Sequence, residues 1–345
     1  MEGDGIETTP RTPDVYSLAN LAGILFPCLE AVGASSVLEI GAYRGELTSE
    51  LLEWAGGRSA RVTAVDPEPQ AELLELADQH PELELVLEMS HEALRHLPLP
   101  DAVIIDSDHN YYTLSEELRL IGEQAPGADL PLLMFHDVGW PHDRRDSYCA
   151  PQRIPEEHRQ PLAHDVALAP WEPGVAARGL PFEWVAERAG GPRNGVRTAL
   201  EDFVGERQGL RLAIVPAFFG LGVLWHQDAP WANAVASIVE PWDRNPLLER
   251  LEASRVGHLA AQLALAGELE GARDRVAERD QRLRDQAQRL HEQEQLFKAM
   301  LGSRAFAVAE QLSRLNQRGR PVFSRQQVRR ALGDEDGSEP ATDPS

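Results

Sequence analysis

The sequence predicts an α/β fold: a doubly wound, mostly parallel seven-stranded sheet with an antiparallel last strand, followed by a long C-terminal helix. Three observations predict it. Short β-branched runs alternate with segments of helical period over residues 36–135, the rhythm of strand–helix–strand units in a parallel sheet. Glycines and acidic residues recur where those runs end. Beyond residue 246 the strand rhythm gives way to an apolar residue every seventh position.

Each element follows in order. Residues 1–13 are charged, carry Thr-Pro pairs and have no apolar period, so they read as disordered. Residues 14–33 read as an amphipathic helix. Strands are expected at 36–40, 61–65, 83–87, 102–105 and 130–135, with helices at 46–54, 70–79, 91–96 and 114–123 between them. Residues 138–192 are rich in Pro, Gly, His and Trp and lack a clear period. A stretch that long inside a domain is the signature of a functional loop, here a lid or acceptor insertion. The alternation resumes with a helix at 197–204 and strands at 210–215 and 221–225. The five residues 216–220 between those strands suit a hairpin-like return, which makes the last strand antiparallel.

One domain is therefore expected over 14–245. Residues 246–301 form a long helix or a weak coiled coil. Leu269, Val276, Leu283, Leu290 and Phe297 recur every seven residues, but the partner seam is Ala272, Arg279, Gln286, Gln293 and Met300, mostly polar. A homodimer through this helix and a long solvated helix are both compatible with half a heptad signal. A short helical segment is expected at 302–332 and a disordered acidic tail at 333–345.

Composition narrows the partners. The 345 residues carry a formal net charge of −23, which disfavours phosphate backbones and anionic lipid, so nucleic acid is not an expected partner. The charge is uneven, because residues 247–332 hold 16 Arg and Lys against 11 Asp and Glu. Cys28 and Cys149, the two cysteines, form no disulfide framework and no metal-ligand spacing, which fits a cytoplasmic location. The apolar stretch 18–26 is interrupted by Asn20 and followed by Pro27, so neither a signal peptide nor a membrane span is expected.

Two places carry chemistry. The first is Glu39-Ile40-Gly41-Ala42-Tyr43-Arg44-Gly45, after a strand and before a helix, where glycines let a ligand approach the backbone. Glu39 is placed to meet a ligand amine. Asp66 follows Gly45 by 21 residues at the end of the second strand, where a carboxylate accepts ribose hydroxyls. The second place combines Asp106-Ser107-Asp108-His109 after the fourth strand with His136-Asp137 after the fifth. In a doubly wound sheet both open onto one crevice. Asp106, His136 and Asp137 suit Mg²⁺ or Mn²⁺, and such an ion lowers the pKa of a bound hydroxyl. Asp108 and His109 are alternative proton acceptors.

The series E-I-G-x-x-x-G followed by V-D-P resembles the first two motifs of the class I S-adenosylmethionine-dependent methyltransferases, a Rossmann-like fold. The resemblance implies S-adenosyl-L-methionine as cofactor. It places Glu39, Gly41, Tyr43, Gly45 and Asp66 around it, with Glu88, Met89 and Ser90 beside the adenine. Tyr43 stands where that family usually has glycine. The acids after the fourth and fifth strands resemble the metal-dependent O-methyltransferases of sugar and small-molecule hydroxyls. That resemblance implies Asp106, His136 and Asp137 as metal ligands, with His136 in place of a carboxylate. It also leaves Asp108 and His109 as alternative bases.

In the insertion, Trp140, His142, Tyr148, His164, Trp171 and Trp184 suit a lid that stacks on a sugar face, or a small core of its own. Arg144, Arg145 and Arg193 are candidates to grip an acidic group on the acceptor. The expected function is O-methylation of a saccharide or glycosylated small molecule, assisted by a divalent metal. Two alternatives stay open. One is a non-catalytic scaffold in a glycan-assembly complex. The other is an NAD-dependent nucleotide-sugar oxidoreductase, although Gly41 and Gly45 lack the middle glycine of a dinucleotide fingerprint.

Overall fold

The computed structural model describes residues 14–316. The N-terminal stretch 1–13 and the acidic tail 333–345, both expected to be disordered, lie outside the described residues, as does 317–332 of the expected short helical segment. The chain divides into two compact units, one ending at Leu265 and the other beginning at Ala266.

The first unit alternates strands and helices as expected. After a 3₁₀ turn at Leu18–Leu21 come α1 (Ala22–Val32), β1 (Ser36–Ile40), α2 (Glu46–Gly56), β2 (Arg61–Val65), α3 (Ala71–Gln79) and β3 (Leu83–Val86). Then follow α4 (Ser90–Ala93), β4 (Ala102–Ile105), α5 (Tyr111–Gln124), β5 (Leu132–Phe135), β6 (Leu162–Leu168) and β7 (Leu180–Ala186). The unit continues through α6 (Val196–Gly205), β8 (Leu210–Val215), β9 (Leu221–His226) and α7 (Ala232–Val239). Helix α8 spans Pro246–Gly302, and α9 spans Arg304–Asn316.

The main sheet has seven strands in the order β3-β2-β1-β4-β5-β9-β8. The pairs β1–β2, β1–β4, β2–β3 and β4–β5 are parallel, and β9 is antiparallel to both β5 and β8. The last strand thus lies inside the sheet, with β8 at the edge. Period-two alternation explains how both faces are covered. Ala102, Ile104, Leu132 and Met134 pack into the core beneath α1, α2 and α7, whereas Val103, Ile105, Leu133 and Phe135 pack beneath α5 and α6. All eight are at most 3% exposed, so β4 and β5 are central strands buried on both sides.

The insertion holds more order than its composition suggests, because β6 and β7 form an antiparallel hairpin. Its strands are short of apolar alternation: His164, Asp165, Pro181 and Glu183 interrupt them, and only one side is covered. Buried polar groups support it instead. Asp146, which is fully buried, accepts the N–H of Tyr111 (2.8 Å) and of Gly195 (2.6 Å) on Oδ1 and the hydroxyl of Tyr148 (2.9 Å) on Oδ2. The Arg145 guanidinium donates to the carbonyls of Ala186 (2.7 Å), Pro173 (2.7 Å) and Gly174 (3.1 Å).

The first unit reaches twenty residues past the boundary expected at 245. Val256 and Ala260 on the first turns of α8 are buried against Leu180 and Phe219. Glu252 accepts the N–H groups of Phe218 (3.1 Å) and Phe219 (2.8 Å), fastening the β8–β9 loop. In the second unit the heptad residues Leu269, Val276, Leu283, Leu290 and Phe297 are each at least half exposed, so they form an apolar stripe on α8. Among the described residues, no helix is long and apolar enough to cross a membrane.

Candidate active site

The parallel strands end together, and the turns that follow them enclose a cavity of about 770 Å³. At the end of β1, Gly41 has φ +85°, and a Cβ there would lie 2.0 Å from the backbone oxygen of Asp106, so only glycine fits. Gly45 has another task. A Cβ there would press on Leu73 and Leu76 at 3.1 Å, so this glycine serves the packing of α2 on α3 and does not line the cavity. Tyr43, with φ 48°, donates its N–H to Asp66 Oδ2 at 2.8 Å, and Glu68 donates its N–H to Asp66 Oδ1 at 2.8 Å. Asp66 is thereby held at the cavity wall with a further lone pair on each oxygen for a ligand hydroxyl.

Tyr43, Met89 and Ser90 line the same cavity. Glu88 does not; it bonds His96 at 2.8 Å on the outside. Glu39 is buried behind the wall and accepts the Thr48 hydroxyl at 2.6 Å. Burial raises its carboxyl to about 7, opposed by Thr48 and helped by the charges of Asp106 and Asp66. The cavity size lies in the range of small-molecule sites, and its acid, glycine turn and apolar wall fit a nucleoside-bearing ligand.

The acids and imidazoles gather at the ends of β4 and β5. His136 Nε2 lies 2.9 Å from the carbonyl oxygen of Phe218. A carbonyl only accepts, so this nitrogen carries the hydrogen. Nδ1 is left facing Asp106 Oδ2 at 3.2 Å and Asp137 Oδ1 at 3.8 Å. Asp137 has φ 58°, unusual for a residue with a Cβ. Its Oδ2 lies 3.0 Å from His109 Nε2 and 3.9 Å from His142 Nε2. Burial alone would raise the Asp137 carboxyl, but His136, His109 and His142 hold it well below the usual carboxylate range. Burial disfavours charge on His136 and His109 as well, yet Asp137 and Asp106 raise them to about 10 and about 9. His142 goes the other way, pushed down to about 3 by burial against the pull of Asp137.

This set fits a divalent cation. Asp106, His136 and Asp137 present ligand atoms within 4.8 Å of one another, and the carbonyl on His136 Nε2 is the kind of partner that orients a metal-ligating imidazole.

The two alternative bases differ in their attachments. Asp108 Oδ1 accepts the Cys149 N–H at 2.9 Å, which ties the β4 loop to the lid, and Oδ2 accepts Asn110 Nδ2 at 2.8 Å within that loop. Burial raises its carboxyl. Both residues line the cavity, and His109 has its Nε2 on Asp137.

The lid aromatics divide in two. His142, Tyr148 and Trp184 line the cavity together with Phe182, while Trp140 and Trp171 pack on each other with centroids 6.4 Å apart. His164 sits against Trp184 at 4.0 Å. The arginines are placed for structure. Arg145 is enclosed by carbonyls, Arg144 bonds Glu201 at 2.6 Å and Thr198 at 3.1 Å, and neither they nor Arg193 line the cavity. Arg153 lines it instead, bonded to Glu68. Sequence reasoning placed His142 among the lid aromatics and passed over Asp146, Ser147 and Phe182. The one available signal was the closeness of His142 to His136-Asp137 in the chain.

No family model matches the sequence, and no curated protein matches it. Among solved structures, the SAH-bound methyltransferase PaMTH1 of Podospora anserina is similar, with 17% identity over 63% of this chain and 83% of that one and a TM-score of 0.41. SAM-bound CalS10, an amino pentose methyltransferase of Micromonospora echinaspora, is similar with 16% identity over 62% of this chain and 92% of that one and a TM-score of 0.35. These are likenesses of architecture. The strand order and the inserted antiparallel last strand give this chain a Rossmann-like α/β fold.

Proposed function

We propose that the protein is an O-methyltransferase that takes S-adenosylmethionine as donor and a hydroxyl of a saccharide or glycosylated small molecule as acceptor. One observation carries the reading: Asp66 and the cluster of Asp106, His109, His136 and Asp137 line a single cavity. Gly41 and Tyr43 would hold the donor, Asp66 its ribose hydroxyls, and Met89 and Ser90 its adenine, while Glu39 and Gly45 shape the turn from behind. The acceptor oxygen attacks the sulfonium methyl carbon, the C–S bond breaks, and S-adenosylhomocysteine leaves. The acceptor proton passes to the neutral imidazole of His109, which lines the cavity and whose resulting imidazolium Asp137 stabilises. Asp106, His136 and Asp137 would hold an ion such as Mg²⁺ or Mn²⁺, which when bound lowers the pKa of the acceptor hydroxyl. Tyr148, Phe182 and Trp184 offer ring faces to the acceptor and exclude water.

Calorimetric titration with S-adenosylhomocysteine, with and without Mn²⁺, tests the reading. Saturable binding that Asp66→Ala abolishes supports it. Absence of binding under every metal condition sinks it and leaves the scaffold or the NAD-dependent oxidoreductase. We further propose that the stripe Leu269, Val276, Leu283, Leu290 and Phe297 pairs two copies of the chain.

A further inference from the structure

We propose that His109, Asp137 and His142 form a second divalent-cation site beside the Asp106–His136–Asp137 set, selective for a borderline transition ion such as Zn²⁺ or Co²⁺ over Mg²⁺. The two carboxylate oxygens of Asp137 face different partners. Oδ1 faces His136 Nδ1 at 3.8 Å, and Oδ2 faces His109 Nε2 at 3.0 Å and His142 Nε2 at 3.9 Å. One oxygen thus serves each set, the arrangement of a bridging carboxylate. Within the second set the three ligand atoms also lie within 4.8 Å of one another.

The donors decide the ion. Two imidazoles and one carboxylate suit Zn²⁺, Co²⁺ and related ions, whereas Mg²⁺ prefers an all-oxygen shell. Three protein ligands on a cavity wall also leave coordination positions open, as catalytic ions require.

The surroundings look built for this purpose. Metal-ligating imidazoles are held through their other nitrogen, and His142 Nδ1 meets Ser147 Oγ at 3.1 Å. Ser147 also donates its N–H to the carbonyl of His109 at 2.9 Å, so one residue fixes both imidazole-bearing segments. Phe182 meets the His142 ring edge-on at 5.6 Å. The backbone of Asp137, at φ 58°, lies in the left-handed region that few residues other than glycine adopt, a feature that clusters at functional sites. The second site shares His109 with the methyl-transfer reading, and an ion on its Nε2 would close that nitrogen to the acceptor proton, so the inference stands on the geometry of the three ligands and not on that reading. The competing account is that protonated imidazoles merely neutralise Asp137.

The test is Co²⁺ titration of the chelator-stripped full chain, followed by visible ligand-field absorption and calorimetry. The expected result is a Co²⁺ complex that His142→Ala weakens by about tenfold or more, that Asp106→Asn leaves within about twofold, and that excess Mg²⁺ does not displace. Ser147→Ala, which removes only the orienting hydroxyl, is expected to weaken Co²⁺ as well, and it stands in for His142→Ala should that variant fail to fold. Absence of a Co²⁺ complex in the wild type overturns the proposal. Equal loss in Asp106→Asn and His142→Ala also overturns it, as does ready displacement by Mg²⁺. S-adenosylhomocysteine titration of the same samples reads the methyltransferase proposal separately: Co²⁺ binding without it would sink that proposal alone.

Discussion

Asp108 accepts the backbone N–H of Cys149 at 2.9 Å, and this bond joins the loop after β4 to the lid. The same carboxylate holds Asn110, whose own Oδ1 caps α5 by accepting the Thr113 N–H at 2.8 Å. One acid thus sets both the start of α5 and the position of the lid over the cavity.

Asp108→Ala is therefore expected to act on acceptor binding. The acceptor KM should rise by about tenfold while kcat and the affinity for S-adenosylhomocysteine change little, because a lost positioning contact weakens ground state and transition state alike. Steady-state kinetics with both substrates varied checks this. A fall in kcat at constant KM would instead assign Asp108 as the proton acceptor.

Asp146 is the polar centre of the insertion. Asp146→Ala leaves the Tyr111 and Gly195 N–H groups and the Tyr148 hydroxyl without their partner in a buried site. Each such orphan costs roughly 1–3 kcal/mol, so the variant should lose about 3 kcal/mol or more. Urea unfolding measures it, and a loss under about 1 kcal/mol would show that water replaces the carboxylate.

Two buried carboxyls give stability a pH dependence. Burial raises both Glu39 and Glu117 from 4.5 to about 7. Glu117 Oε2 accepts the Ser107 hydroxyl at 3.0 Å, while Oε1 is buried without a hydrogen-bond partner. A carboxyl whose pKa is raised on folding favours the native state in its neutral form. Its contribution is full below 4.5 and is lost as pH rises through about 7. The ligand-free protein should therefore lose several degrees of melting temperature between about pH 5 and about pH 8. Glu117→Gln, which stays neutral, should flatten that slope. Thermal melts of wild type and variant across this range decide it, and parallel slopes would refute the assignment.

The C-terminal stripe predicts assembly. Truncation after Leu265 keeps Val256 and Ala260 over Leu180 and Phe219, so the first unit should stay folded, while the stripe is removed. Size-exclusion chromatography with light scattering should give a dimer for the full chain and a monomer for the truncated one. The same mass per particle in both states would exclude the stripe as the interface. A cut at residue 245 would confuse the result, because it uncovers that apolar contact and removes Glu252 from the β8–β9 loop.

Much of this was legible in the sequence. Strand periodicity and strand-end chemistry are local properties, so the seven strands, the antiparallel last strand and the turn joining Gly41 to Asp66 could be read from neighbouring residues. Asp106, His136 and Asp137 could be brought together as well, because adjacent parallel strands deliver their ends to one crevice. The tertiary structure alone decided the rest. Nothing local distinguishes Gly41, pressed against Asp106, from Gly45, pressed against α3. Nothing local turns Arg145 inward onto carbonyls or lays His142 against Asp137. Those outcomes depend on how an insertion of low apolar periodicity folds back on its own buried polar groups. Such bonds join residues as far apart as Tyr111, Asp146 and Gly195, and a hydrogen bond between distant segments leaves no period in the chain.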